Sequence, residues 1–317
     1  MVRFEKIGCL RQQFKEVNLK TKERKAIGTA FLFSLEKKEY NNLLMFTGYS
    51  FFDYKYDIPD YNGYDYDHFG RYLFLIIASV TILVAVILLR KMKREHIVTY
   101  LKVMAITMTA LYITKTTWET IHDIQHDGAF NMYLLPFDTC SMLMFASFFA
   151  GFGKGKVQSL GASWLATGGI VGGLSNLLFL QALRYYPFFT FGAFYSMLWH
   201  WVMVFTGVLL LVTNFVPSHF STLLYAFLFH MGFSLIVIPF DYIRDMDFMM
   251  YRYAGGIPLI EDLVKPWAEN HLNFLVTMVM IVVYFALFAA FVYLSLGIKT
   301  LVHLLFPKRE NSVQEQA

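Results

Sequence analysis

The chain has 317 residues, of which 57% are hydrophobic, 18% aromatic and 16% charged, and its mean hydropathy is +0.47. Because soluble domains carry about 25% charged residues, this composition excludes an ordinary soluble enzyme and indicates an integral membrane protein. The formal net charge is +4, and in a membrane protein the basic residues behind it first indicate how the helices are oriented in the bilayer. Nucleic acid is therefore not expected as a partner.

The first 70 residues form a leader that is basic and then rich in tyrosine and aspartate. Residues 27–35 are too short an apolar run, and too far from the start, for a secretory signal peptide, so we expect the leader to be retained. Apolar pieces at 26–35 and 43–52 favour helices lying on the membrane surface, and a solvated basic tail is the alternative. A membrane domain follows over residues 71–306, with a short tail over 307–317.

Seven apolar runs in the membrane domain approach the length of about 20 residues that a spanning helix needs. The second run contains Lys115 and Glu119, so we predict that it faces protein rather than lipid on at least one side, as a helix of the bundle interior. The fourth contains five glycines, which permit close approach of a neighbouring helix, and we predict that it is central. The sequence thus predicts an all-α polytopic bundle of about seven transmembrane helices, at 72–89, 97–120, 132–151, 157–180, 188–213, 220–240 and 272–298.

Lysine and arginine cluster at alternate ends of these runs. They follow the first run (Arg90 to Arg94), the third (Lys154 and Lys156) and the seventh (Lys299). Since basic loops remain on the cytoplasmic side, we predict a multi-pass protein of the cell membrane with a cytoplasmic C-terminus. The basic leader would then lie outside, although long flanking segments carry little weight in this rule.

Polar side chains inside the runs fall mainly at one depth. With a rise of about 1.5 Å per residue, seven of them belong to the outer half of the bilayer, and His230 lies near the middle of its run. Ionisable residues in lipid are rare and tend to mark functional sites, so we predict one polar chamber. Taken singly, each residue could instead make a contact between helices. The seven are Lys115, Glu119, Asp138, Cys140, Asn176, His200 and Asp241.

Cys140 and His200 have the chemistry of a nucleophile and its general base. An imidazole can take the thiol proton, the thiolate can attack an acyl carbonyl, and a carboxylate such as Asp138 or Glu119 can orient the imidazole. The same residue types bind metals, but they lack HExxH or CxxC spacing. No metal site is therefore predicted, and no nucleotide or haem motif suggests a cofactor.

Motifs along residues 70–300 resemble the YwaF-like bacterial integral membrane proteins. That family is described as multi-helix, with a Leu-Pro-Leu-His-x-Cys type motif in one span and a lone histidine two spans later. Its eukaryotic relatives are described as membrane acyltransferases acting on ether phospholipids. The resemblance implies that Cys140 accepts the acyl group and that His200 is the base. The matching segments are Trp118-Glu119, Leu135-Pro136-Phe137-Asp138-Thr139-Cys140, the glycines from Gly168 to Gly173, and Tyr186 to His200.

Two positions depart from the family pattern. Asp138 stands where the motif has histidine, and Asp241-Tyr242 stands where bacterial members tend to have Asn-Tyr. The added carboxylate could orient His200, or it could mark a different lipid head group or a loss of the chemistry.

We therefore predict acyl transfer or acyl-ester hydrolysis on a phospholipid or lysophospholipid. The catalytic residues would be Cys140, His200, Asp138 and Glu119, and the substrate would be bound by Lys115, Asn176, His230, Asp241 and Tyr242. The alternatives are a small-solute transporter or substrate-binding membrane subunit using the same chamber, and a non-catalytic scaffold. The Met- and aromatic-rich segment 242–270 would lie outside, as a lid over the head group or as an ordinary interfacial belt.

Overall fold

The computed structural model describes residues 50–54, 56–57, 68–179, 186, 190–254 and 258–305. The chain divides into a unit Met1–Asp53 and a unit Tyr54–Ala317. In the first unit only a turn is described, in which the Ser50 amide donates to the Asp53 carboxylate at 2.7 Å. The predictions for the surface helices of the leader and for the tail over 307–317 lie outside the described residues.

The described part of the second unit is built from α-helices and shorter helical turns, with no β-strand in these ranges. Helix α1 begins at His68, slightly before the predicted boundary at 71. The α-helices are α1 His68–Leu89, α2 Arg94–Asp127, α3 Met142–Phe152, α4 Lys156–Trp164, α5 Ile170–Phe179, α6 Phe191–Val212, α7 Phe220–Arg244, α8 Pro258–Glu269 and α9 Asn273–Leu305.

Each of the seven predicted spans contains a helix among the described residues, which confirms the all-α membrane bundle. Six helical stretches of the described residues are long and apolar enough to cross a membrane, and one of them, Met132–Phe152, consists of α3 together with the 3-10 turns that precede it. The fourth predicted span is not among them, because a π-helical segment, Leu165–Gly169, separates α4 from α5. A π turn places one extra residue in the helix and shifts the side chains that follow it.

The fourth span is central, as predicted, since every residue from 161 to 170 is buried. Its glycines admit the neighbouring helices. A Cβ added at Gly161 would lie 2.3 Å from the Ala146 carbonyl oxygen of α3. A Cβ added at Gly173 would lie 2.9 Å from the His200 carbonyl oxygen of α6. This close backbone approach fixes α5 against the helix that carries His200.

The second span faces protein on one side, as predicted, but it does not lie in the interior of the bundle. Helix α2 buries one side only, which includes Leu101, Met108 and Glu119. Apolar side chains on its other side are open, such as Ile106 and Ile113, each 59% exposed. The helix therefore lies at the edge of the bundle, and its polar groups Lys115 and Glu119 pair with each other on the buried side.

The chain between α7 and α8 turns back into the bundle, and we call residues 245–254 the inserted segment. Phe248, Tyr251 and Ala254 are fully buried there. The prediction that the whole stretch 242–270 lies at the membrane surface is therefore wrong for this part. Its backbone has left-handed conformations at Asp245, Met249, Met250 and Ala254, and such residues persist only when surrounding contacts hold them.

Polar groups of the bundle satisfy the backbone of the inserted segment. The Asp241 carboxylate accepts from the Phe248 amide at 3.0 Å. Thr277 Oγ1 donates to the Tyr251 carbonyl at 2.8 Å, and the Tyr284 hydroxyl donates to the Met249 carbonyl at 3.0 Å. Because unpaired backbone groups are costly in an apolar interior, these bonds explain how a non-helical segment is tolerated here.

Replacing Gly161 by alanine tests the close approach of α3 and α4. The added Cβ would meet the backbone of Ala146 and Ala150, and such overpacking costs about 1–3 kcal/mol, so the midpoint of thermal unfolding should fall. Gly232→Ala is the matched control, because nothing lies within 4 Å of its added Cβ. The packing described above would be contradicted if both variants unfolded at the same temperature as the wild type.

Candidate functional site

The segment that carries Asp138 and Cys140 is not helical at its start. A 3-10 turn covers Met132–Leu134, a second covers Thr139–Ser141, and α3 begins only at Met142. Pro136 of the Leu-Pro motif does not begin α3; it lies between the two turns, where its missing N–H breaks the helical hydrogen-bond pattern. Asp138 and Cys140 are both half-buried on this irregular backbone, and we call residues 138–140 the cysteine turn.

Three separate helices hold the cysteine turn in place. The Trp199 indole of α6 donates to the Cys140 carbonyl at 3.0 Å. The Thr139 hydroxyl lies 3.0 Å from the Tyr284 hydroxyl of α9. Just before the turn, the Tyr112 hydroxyl of α2 donates to the Leu134 carbonyl at 2.6 Å. The backbone beside the thiol is therefore positioned by tertiary contacts rather than by a helix.

His200 follows Trp199 on α6 and is buried, at 5% exposure. Its Nδ1 lies 2.6 Å from the Ser196 carbonyl oxygen. A carbonyl can only accept, so Nδ1 carries the proton and Nε2 keeps the lone pair that a general base needs. Within the described ranges Nε2 makes no hydrogen bond, and none joins this imidazole to the Cys140 thiol.

The predicted role of Asp138 or Glu119 in orienting His200 needs correction, because the Ser196 carbonyl makes that hydrogen bond. Glu119 is fully buried and is engaged elsewhere. It pairs with Lys115 and accepts from the Tyr186 hydroxyl. The Asp138 carboxylate makes no hydrogen bond with the residues that the structure describes.

Lys115 and Glu119 nevertheless belong to the surroundings of the cysteine turn. The Lys115 ammonium lies 5.6 Å from the centre of the Tyr195 ring. The Tyr195 ring packs on that of Trp199 with centroids 5.3 Å apart, and Trp199 holds Cys140. Lys115 and Glu119 are thus connected to the backbone of Cys140 through two aromatic residues, whereas the described contacts of the His200 imidazole are with Ser196.

His230 belongs to a different cluster, where it makes a closed set of hydrogen bonds. The Trp164 indole donates to His230 Nδ1 at 3.4 Å, so Nε2 carries the proton and donates to the Tyr251 hydroxyl oxygen at 3.1 Å. Tyr251 then donates to Ser234 Oγ at 2.6 Å, and Ser234 donates to the His230 carbonyl at 2.8 Å. We call these four side chains the histidine ring.

Burial also affects the protonation of Tyr251, the member of the histidine ring that belongs to the inserted segment. It raises the pKa of the Tyr251 phenol to about 12, so this hydroxyl remains a neutral donor near pH 7.

Asp241 and Tyr242 serve the same region: Asp241 accepts from Phe248, and the Tyr242 hydroxyl lies 3.0 Å from Thr277 Oγ1. His230, Asp241 and Tyr242, which were predicted to bind substrate, instead hold the inserted segment.

The single predicted chamber is therefore two clusters that meet at the cysteine turn. Thr139 bonds Tyr284, whose hydroxyl also donates to the inserted segment at Met249. The Phe137 and Phe248 rings pack edge to face with centroids 5.5 Å apart. Asn176 is half-buried and makes no hydrogen bond to any described residue, so the structure gives it no binding partner.

Several residues of the site were not predicted. Ser196 and His200 are four residues apart, as are Glu119 and Asp123, and this spacing places each pair on one side of a helix. Asp123 is 1% exposed, and neither of its carboxylate oxygens has a hydrogen-bond partner among the described residues. The spacing of four residues could have indicated Ser196 and Asp123, whereas the roles of Trp199, Tyr186 and Tyr284 carry no signal in this spacing.

Comparisons with protein-family models, with curated proteins and with solved structures find no match for this chain.

Replacing Tyr251 by phenylalanine tests the histidine ring. The loss leaves the His230 N–H and a Ser234 lone pair unpaired in the interior, at a cost of about 1–3 kcal/mol in the free energy of unfolding. Tyr253→Phe is the matched control, because that residue is 37% exposed and its hydroxyl donates to the exposed Asp245. Thermal unfolding in detergent measures both variants. An equal loss in the two would contradict the hydrogen-bond pattern.

Proposed function

We propose that this protein transfers or hydrolyses the acyl group of a membrane phospholipid or lysophospholipid, with Cys140 as nucleophile. One observation carries the proposal: Trp199 holds the backbone of Cys140, and the next residue on that helix is a histidine whose Nδ1 is fixed by Ser196. The helix whose Trp199 bonds the Cys140 carbonyl also carries an imidazole in the tautomer required of a base, which supports the proposal. The resemblance to the YwaF-like proteins supports the same assignment.

The reaction follows from these groups. His200 Nε2 takes the Cys140 proton, the thiolate attacks the ester carbonyl carbon, and the lysolipid alkoxide leaves with the proton held by the imidazolium. The resulting thioester is then attacked by water, or by the hydroxyl of an acceptor lysolipid, with His200 again taking the proton. This step requires the thiol and the imidazole to come within hydrogen-bonding distance, and catalytic hydrogen bonds often tighten only with substrate bound.

Asp138 has a different part in this proposal from the one expected of the family's histidine. Its carboxylate lies two residues from the thiol, is half-buried and has no hydrogen bond in the described part of the chain. It is therefore free to pair with a cationic lipid head group. The proposal includes a cell-membrane location with the C-terminus in the cytoplasm, as the distribution of basic residues suggests.

Cys140→Ser and His200→Ala should each lower lipid turnover by about 100-fold or more, the usual contribution of a nucleophile or a general base. Turnover is measured as lysolipid and fatty-acid release from phospholipid in nanodiscs, together with a hydroxylamine-sensitive acyl adduct on the protein. Full activity in both variants would refute the assignment.

Two matched controls sharpen this experiment. Cys9→Ser removes the other cysteine of the chain and should leave turnover and adduct unchanged. Ser196→Ala keeps the carbonyl that fixes His200 and should retain most activity. If Ser196→Ala were as inactive as His200→Ala, the backbone carbonyl would not be the group that orients the base.

A second candidate is a small-solute transporter, and two observations favour it. The third and fourth predicted spans are interrupted by 3-10 and π segments, and discontinuous helices form substrate sites in many transporters. In addition, Asp123 is buried without a hydrogen-bond partner among the described residues, as a proton-carrying carboxylate would be.

Proteoliposomes separate the two candidates. A transporter coupled to protons should acidify vesicles loaded with a pH-sensitive dye when a membrane potential is imposed, and Asp123→Asn should abolish that signal. The enzyme proposed above predicts no difference from empty liposomes. Proton influx that depends on Asp123 would favour the transporter.

A further inference from the structure

A polar cavity lies at the opposite end of the bundle from the inserted segment, where α2, α4 and α7 begin and α6 has just ended. Its volume is about 200 Å³, several times the roughly 30 Å³ that one water molecule occupies in the liquid. It is lined by Arg94, Gln158, Ser163, Phe215, Ser221 and Tyr225, together with other residues of the same elements. The proposed acyl-transfer site has no residue in common with it.

Arg94 is the cationic group at this cavity, and no carboxylate lines it. The guanidinium lies 4.1 Å above the Phe215 ring. One of its nitrogens donates to the Gln158 side chain at 3.2 Å and another to the Phe215 carbonyl at 3.4 Å. Both acceptors are neutral, so within the described residues the charge of Arg94 is positioned but not neutralised.

Ser163 gives an independent indication that the cavity binds something. Its neighbours on the same helical run, Ser159 and Thr167, donate their hydroxyls to the carbonyl four residues back. Ser163 is 3% exposed, lines the cavity, and makes no such bond with any described residue. The Ser163 hydroxyl thus keeps its capacity to bond a group in the cavity.

Helix α7 adds main-chain donors at the same place. It begins at Phe220, and its N-cap residue His219 provides no side-chain cap. In this first turn the Thr222 amide donates to the His219 carbonyl, whereas the Phe220 and Ser221 amides have no acceptor among the described residues, and the helix dipole makes such amides favourable for anions. Ser221, in this first turn, also lines the cavity.

We propose that this cavity binds a phosphate group, held by the Arg94 guanidinium, the Ser163 hydroxyl and the first turn of α7. Arginine recognises phosphate oxygens through paired N–H donors, and the hydroxyls and main-chain amides complete the set. The group can come from free phosphate or from the head group of a phospholipid, because the cavity recognises the chemistry that both share.

The test uses the full-length purified protein and two probes, inorganic phosphate in detergent and phosphatidic acid in nanodiscs. Ionic strength is held constant with sodium chloride. The rise in the thermal unfolding midpoint with probe concentration gives the affinity of each. Stabilisation by both probes supports the site and shows that it accepts phosphate from either source. Stabilisation by one probe alone supports the site and identifies that probe as the source of the phosphate group. No stabilisation by either overturns the proposal.

Variants place the binding in the cavity. Arg94→Gln should weaken binding about tenfold or more, and Ser163→Ala about threefold to tenfold. Arg90→Gln is the matched control, because Arg90 is an exposed arginine at the same end of the bundle that does not line the cavity. If Arg94→Gln does not fold, Arg94→Lys replaces it, which should also bind more weakly. Affinities equal to that of Arg90→Gln would overturn the proposal.

Discussion

The hydrogen bond between His230 and Tyr251 is the contact on which the shape of this bundle depends. It joins the middle of α7 to a non-helical segment that lies 21 residues further along the chain. In an apolar interior each polar group must find a partner inside the protein. Trp164, His230, Tyr251 and Ser234 meet this requirement together, since each hydrogen of the four side chains has an acceptor. Breaking one bond strands the others, so the inserted segment is held as a unit.

The inserted segment in turn shapes the cysteine turn. Phe248 packs on Phe137, and Tyr284 bonds both Met249 and Thr139. A helix that began at Pro136 would include Asp138 and Cys140 in its first two turns. The irregular backbone instead leaves Asp138 and Cys140 half-buried, beside the helix that carries His200. The strained left-handed residues of the inserted segment are thus linked through packing to the site for which we propose acyl chemistry, a common association in enzymes.

Much of the fold could be predicted from the sequence, because length and apolar composition decide which segments are helices in a bilayer. The close approach at Gly161 and Gly173 followed from residue size. The start of α3 at Met142, the π segment and the inserted segment could not be predicted, since each depends on distant partners. Trp199, for example, holds Cys140 from 59 residues away. The pairing of Cys140 with His200 stays a prediction, and the group that orients His200 was missed because backbone carbonyls leave no signal in a sequence.

Hydrogen–deuterium exchange of residues 248–254 measures most directly whether the inserted segment is held inside the bundle. The amides of Phe248, Arg252 and Ala254 all donate within this region, and Tyr251 is fully buried. They should therefore exchange as slowly as the amides of the buried stretch 161–170, and far more slowly than the turn at Asn270 and His271. Exchange as fast as in that turn would show that the segment is not inserted, and would remove the support for the site built around Cys140.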